Sequence, residues 1–214
     1  MTRQIIAIFL FFLSITSCKN SNDVGDVNGL KIDPNIKSAV EQNIESVKEL
    51  NEVNDKMQIY SNSLYTVSYQ NDTLLFSLKN IPQKIIFKSF YYWNGDTLNI
   101  DGAYGLFGGT GFCIKTIKKG ATLYHMLSSD DFPSYCYKPN DSLIYRLEVP
   151  CTETKIILSE IPDSTKKQII YGYVEFKSKD FYSSSGETNG KEGLPRIKCR
   201  NNMKIYFKSG YLAL

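Results

Sequence analysis

The chain has one histidine, His125, and one tryptophan, Trp93, among its 214 residues. A single histidine excludes metal centres built from several imidazoles. Cysteine offers little more, because no C-x-x-C pair occurs to seed a structural zinc site. No G-x-S-x-G elbow is present to expose a serine nucleophile, so a triad of His125 with Asp130 or Asp131 lacks its third member. The only glycine-rich stretch, Gly102 to Gly111, is not followed by Gly-Lys-Ser/Thr, and residues Cys113 to Ile117 read as a strand, not the helix that would face a phosphate. Charge of one sign is scarce too: a net charge of +3 is too small to point to nucleic acid. These absences leave no catalytic set, no metal and no cofactor to name.

What is present begins at the N-terminus. Arg3 precedes an apolar run, Ile5 to Leu13, and Ser14-Ile15-Thr16-Ser17-Cys18 closes it, the order of a secretory signal peptide. The run is far shorter than the roughly 20 residues that a membrane-spanning helix needs. Ile15-Thr16-Ser17-Cys18 resembles the lipobox of bacterial lipoproteins. The resemblance implies cleavage after residue 17, a diacylglyceryl group on the Cys18 thiol and a membrane partner reached through that lipid. Lys19 stands where an aspartate would favour inner-membrane retention in some bacteria, so the outer membrane is favoured, on its periplasmic or surface face. The resemblance covers residues 1–18 only, and residues 19–214 resemble no known family.

Four further cysteines, Cys113, Cys136, Cys151 and Cys199, lie in a chain bound for a compartment that permits disulfides. Residues Leu143 to Val149 read as a strand separating Cys136 from Cys151 by roughly 23 Å, too far for a bridge. Cys113 with Cys136 and Cys151 with Cys199 is the expected pairing.

Residues 18–32, polar and glycine-containing, read as the lipidated cysteine and a flexible tether reaching roughly 20 Å. Asp33-Pro34 then supplies a helix start, and Ile36, Val40, Ile44, Val47 and Leu50 recur at helical spacing, predicting one amphipathic helix over 34–57. After Gln58, β-branched and aromatic runs alternate with Asn, Asp, Gly and Pro, predicting ten or so short antiparallel strands. Asn94-Gly95 is the clearest hairpin signal; Asn71-Asp72 and Lys119-Gly120 are weaker. The residues from Ile85 to Trp93 carry apolar bulk on both faces, which predicts a strand covered by the helix. The fold class is mainly β: an antiparallel β-sandwich or twisted sheet preceded by one α-helix, in a single domain over 33–214.

A turn-plus-strand phrase recurs at Asp72-Thr73-Leu74, Asp96-Thr97-Leu98 and Asp141-Ser142-Leu143, with Asp163-Ser164-Thr165 a looser match. It is turn grammar, and it also resembles the Asp-Ser/Thr-apolar acceptor of bacterial O-glycosylation, which makes Thr73, Thr97 and Ser142 candidate acceptors. The aromatic surplus, fifteen tyrosines and twelve phenylalanines, belongs mostly to a core. Tyr91 and Trp93, beside the Asn94-Gly95 turn, are candidates for stacking on a sugar or anchoring a protein. The functional expectation is a non-enzymatic, lipid-anchored envelope module for a glycan or an envelope protein. The alternatives are an envelope hydrolase whose carboxylates converge in the fold, and a lipoprotein that neutralises a toxin.

The lipid anchor is testable directly. A cell-fed alkyne fatty acid is expected to label the wild-type protein and not Cys18→Ala, which should move to the soluble fraction on lysis. Equal labelling of both, or of neither, overturns it.

Overall fold

The computed structural model describes residues 29–78, 84–106, 108–117, 120–184 and 195–213. The predicted signal peptide, Cys18 and nearly all of the predicted tether lie outside the described residues. The fold is mainly β, with fourteen strands in one continuous, largely antiparallel sheet. Two α-helices occur among the described residues, α1 (Ile36–Asn43) and α2 (Asn54–Met57).

A central run of strands forms the frame. It starts with β6 (Lys84–Asn94), β7 (Thr97–Tyr104), β8 (Gly109–Ile117) and β9 (Gly120–Ser128), each antiparallel to the one before. It continues with β11 (Arg146–Leu158), β12 (Ile170–Ser178) and β14 (Arg196–Tyr211). The far end of β14 returns to β6, where Gly210 and Tyr211 pair in parallel with Phe90 and Tyr91. Seven strands therefore close into a ring. A barrel of about this size has an interior that side chains can just fill.

Two long strands turn the corners. The first half of β11, Arg146–Pro150, pairs with β9, and its second half pairs with β12. A register shift between Thr152 and Lys155, with Glu153 at φ +49°, marks the bend. β14 likewise pairs with β12 along its body and with β6 only at its end. Alternation along these strands sorts side chains: Met203, Ile205 and Phe207 face in, and Lys204, Tyr206 and Lys208 face out, as the alternating pattern predicts. Inside, Phe87, Tyr91, Phe112 and Phe207 are fully buried, with Phe112 and Phe207 ring centroids 4.9 Å apart. Interior glycines make room for these rings. A Cβ on Gly102 would lie 2.6 Å from the Phe112 ring and 2.7 Å from that of Phe87.

Shorter elements decorate the ring. β3 (Ile59–Ser63) pairs with β6, and β2 (Ile44–Ser46) pairs with β3. β4 (Tyr65–Gln70) joins β14 and carries β5 (Thr73–Ser77) as an edge strand. β13 (Phe181–Ser184) continues the β12 side of β14 and holds β10 (Tyr135–Cys136).

Several local expectations are corrected. Residues 30–32, expected in the tether, form a strand instead: β1 (Leu30–Ile32) pairs in parallel with Ile156–Leu158 and buries Leu30. The predicted helix 34–57 is broken after eight residues. Ile44–Ser46 leaves it to pair with the open edge of β3, since a short isolated helix is marginal and a ladder satisfies the same backbone groups. A 3-10 turn at Lys48–Leu50 and α2 follow, tied by buried Asn54, whose Nδ2 donates to Val47 O at 2.9 Å. α1 packs on β12 and β14, not on the Phe87–Trp93 strand. The β6–β7 loop is Gly95-Asp96, with Asn94 paired to Thr97 and only Gly95 at positive φ. Asn71-Asp72, by contrast, places both residues at positive φ. Residues 143–145 stay outside β11, and Ile144 instead forms an isolated antiparallel bridge with Tyr135.

Gly102→Ala is expected to destabilise the protein by about 1–3 kcal/mol through overpacking beneath Phe87 and Phe112, read as a lower urea midpoint at unchanged m-value.

Candidate functional site

The outer face of the wall formed by β4, β14, β12 and β11 is a lattice of tyrosines and cations. The cross-strand register builds it: Lys155 opposes Glu175, Glu175 opposes Lys204, and Lys204 opposes Tyr65. One row along, Tyr173 opposes Tyr206 with ring centroids 4.8 Å apart. Lys155 lies over Tyr173 at 5.8 Å, Lys204 over Tyr65 at 5.1 Å and Arg200 over Tyr69 at 4.9 Å. Such stacked pairs hold aromatic faces and cations at fixed positions, each worth about 0.5–1 kcal/mol when exposed. Glu175 ties the lattice together, accepting from Tyr173 Oη at 2.9 Å and pairing with Lys204 at 2.7 Å. The Lys204 contact holds the Glu175 carboxyl below its ordinary range. Burial, then the bond to Glu175, pushes the Tyr173 phenol up, so it is a neutral donor. α1 closes one end, with Lys37 over Tyr171 at 5.2 Å.

At the other end the β11 bulge turns the strand aside and opens a groove of about 740 Å³ between Tyr69, Glu153, Lys177, Asp180, Arg200 and Asn202. Glu153 pairs with Lys177 at 2.5 Å, and Asp180 pairs with Lys198 at 3.2 Å. Asn202 Oδ1 is buried without a hydrogen-bond partner. Chemically the groove offers an aromatic ring and paired charges of both signs, a set suited to holding a polar, ring-containing ligand.

The residues singled out from the sequence lie elsewhere. Tyr91 is fully buried inside the barrel, and its Oη donates to Gln168 O at 3.0 Å. Trp93 is half-buried against the same core. Neither is a stacking platform, because the ladder pairing Phe90 with Asp101 turns both odd-numbered neighbours inward. The face that does carry tyrosines belongs to β4, β11, β12 and β14; its signal in sequence is Tyr and Lys/Arg sharing one parity along Tyr171–Lys177 and Arg200–Lys208. Thr73 and Ser142 are exposed and Thr97 is half-buried, each just after a turn.

All four described cysteines are free thiols, which corrects the expected bridges. The register is the reason. Cys113 opposes Asp101 and Tyr124, Cys136 opposes Tyr182, Cys151 opposes Ser178, and Cys199 opposes Phe181 and Gln70, so no ladder sets two cysteines side by side. Burial pushes each thiol up, that of Cys151 to about 12, so none is poised as a nucleophile. Cys113 and His125 cannot cooperate, because they project from opposite faces of the wall.

His125 sits inside the barrel, wholly buried. Nδ1 is 2.9 Å from Gly111 O and so carries the proton; Nε2 then accepts from Asn201 Nδ2 at 2.9 Å. Burial lowers its pKa to about 4. Asp130 and Asp131 lie outside this interior shell, so the triad does not assemble. No group of three or more potential metal ligands occurs among the described residues, and no described helix is long and apolar enough to cross a membrane. No protein-family model, curated protein or solved structure matches the chain.

The neutral His125 generates a pH dependence. Above 6.5, its ordinary value, neither state is protonated and stability is complete. Between 6.5 and 4 only the unfolded chain takes the proton, so stability falls as pH falls, by roughly 3 kcal/mol in all, and His125 adds no further loss below 4. Urea unfolding at pH 7 and pH 4.5, compared with His125→Gln, checks this: the wild type should lose more stability between the two than the variant.

Proposed function

We propose that this chain is a lipid-anchored envelope protein, tethered through Cys18, whose barrel binds an envelope glycan on the tyrosine-cation wall and its adjoining groove. The observation that carries the reading is the groove itself, where the Tyr69 ring, with Arg200 over it at 4.9 Å, stands beside Glu153, Lys177 and Asp180. Half-buried tyrosine rings present flat apolar faces to the C–H face of a pyranose. Flanking Lys and Arg donate to its oxygens and to any carboxylate it carries. Most of the charges here are already paired on the surface, where a pair is worth about 0–1 kcal/mol, so they contribute more to recognition than to stability.

A second reading, an envelope protein as partner, draws support from β5. Leu74, Leu75 and Phe76 are 56%, 52% and 45% exposed on a strand that, among the described residues, pairs on one side only. An open apolar edge accepts an added strand.

Affinity electrophoresis through gels containing polysaccharide from the producing cell's envelope separates the two. The wild type should be retarded, and Tyr69→Ala or Arg200→Ala, with unchanged circular dichroism, should weaken retention about tenfold. No retardation, or retardation that both variants keep, overturns the glycan reading.

A further inference from the structure

The antiparallel course of the ring gathers one set of strand ends into a rim. β6, β8, β11 and β14 end there, and β7, β9 and β12 begin there. Four large aliphatic side chains stand out from this rim: Ile117 at the end of β8, Ile161 and Ile169 in the loop joining β11 to β12, and Leu212 just after β14. They are 60%, 43%, 42% and 38% exposed. Such residues are unremarkable when scattered, but gathered at one end of a barrel they mark a surface that meets something apolar.

Hydrogen bonds fix the backbone that presents them. The β11–β12 loop reaches over the barrel mouth, where Tyr91 Oη donates to Gln168 O at 3.0 Å, and within it Thr165 N donates to Asp163 Oδ1 at 2.8 Å. Leu212 N donates to Tyr91 O at 2.8 Å. The space beneath is already filled by the buried side chains of Tyr91, Leu98 and Ile170, so the four aliphatic groups are left outside. Positive charge is not in excess among the described rim residues: Lys166 pairs with Asp163 at 3.3 Å, and Lys167 is outnumbered by Asp96 and Glu160. Burial of apolar surface is therefore the attraction this rim offers.

The place where the chain enters the barrel points to the occupant. Leu30 pairs with Ile156, two residues or roughly 7 Å along β11 from Leu158 at the rim, and ten residues or roughly 33 Å from Arg146 at the far end. Only residues 19–28 separate Gly29 from Cys18. A flexible chain of that length spans roughly 17 Å, enough to set the rim on the bilayer that would hold the Cys18 lipid and too short to set the far end there unless fully stretched. Tethered so closely, the rim meets the bilayer at an effective concentration on the order of millimolar, and a few partly inserted side chains suffice. We propose that this rim docks on a lipid bilayer, with Ile117, Ile161, Ile169 and Leu212 seated at the boundary of headgroups and acyl chains, an inference that rests on the Cys18 anchor. The barrel then stands upright, and the groove beside Tyr69, at the end of β12, opens away from the membrane.

Photo-crosslinking of the unaltered, lipidated protein tests this, in vesicles of phosphatidylcholine and phosphatidylethanolamine doped with a phosphatidylcholine that carries a diazirine on its acyl chain. Peptide mass spectrometry is expected to find adducts on the segments containing Ile117, Ile161, Ile169 and Leu212. Segments containing Leu106, Tyr137 and Tyr145, exposed apolar residues at the far end, should stay unmodified. Combining Ile117→Asp with Ile169→Asp, both at exposed positions, should cut the rim adducts about tenfold with unchanged circular dichroism. Added salt should leave the wild-type adducts unchanged. Vesicle flotation separates this inference from the anchor on which it rests. A wild-type protein that fails to float overturns anchor and rim together. One that floats with adducts confined to the chain before Leu30, with adducts at the far end, or with rim adducts that the double variant keeps, overturns the rim alone.

Discussion

Two backbone pairs hold the architecture in its closed form. Where Gly210 and Tyr211 run parallel to Phe90 and Tyr91, with Leu212 N donating to Tyr91 O at 2.8 Å, a curled sheet becomes a ring. Without this seam β14 and β6 would each present an unpaired edge there, and the aromatic interior would lie open along it. The seam is built for close approach: Ser89 Oγ lies 2.9 Å from Ser209 Oγ and donates to Asp101 O at 2.8 Å. The Gln58 side chain occupies the space a Cβ on Gly210 would need. Small residues at 89, 209 and 210 are thus the condition for two strands distant in sequence to meet.

Closure fixes which side of every strand is dry. The inward set is mostly aromatic and aliphatic, interrupted by polar side chains such as Ser89 and Ser209 and by one neutral imidazole whose two nitrogens are both satisfied. The outward set differs from wall to wall. Strands β4, β11, β12 and β14 present tyrosines under cations, and strands β6 to β9 present a dented surface around Asp101. The two walls meet along the corner strands β11 and β14, so two outward surfaces of different chemistry share one core. The bulge that lets β11 change partners also opens the groove beside Tyr69, and fold geometry and site geometry are there the same feature.

Much of the local structure was legible in the chain. The period-2 pattern at Met203–Lys208 reports its inward face correctly, Asn71-Asp72 forms the turn its composition suggests, and Leu123, His125 and Leu127 do share a strand face. Leu30–Ile32 and Ile44–Ser46 were not legible as strands, because nothing in three residues announces that an unsatisfied edge will lie alongside. Tyr91 failed as a surface candidate for a related reason. Apolar bulk on both faces of residues 85–93 shows that both are partly covered, but not which parity faces the core.

The sequence by itself determined the predominance of strands and several of the turns, since these depend on neighbours along the chain. The tertiary structure decided the ring closure, the free state of the four described thiols, the burial of His125 and the grouping of Tyr65, Tyr69, Tyr173 and Tyr206 on one face. It also placed Asp101 beside Arg146. Those outcomes depend on register between strands many residues apart, and register is set by how the whole sheet buries one face, a property no local segment contains.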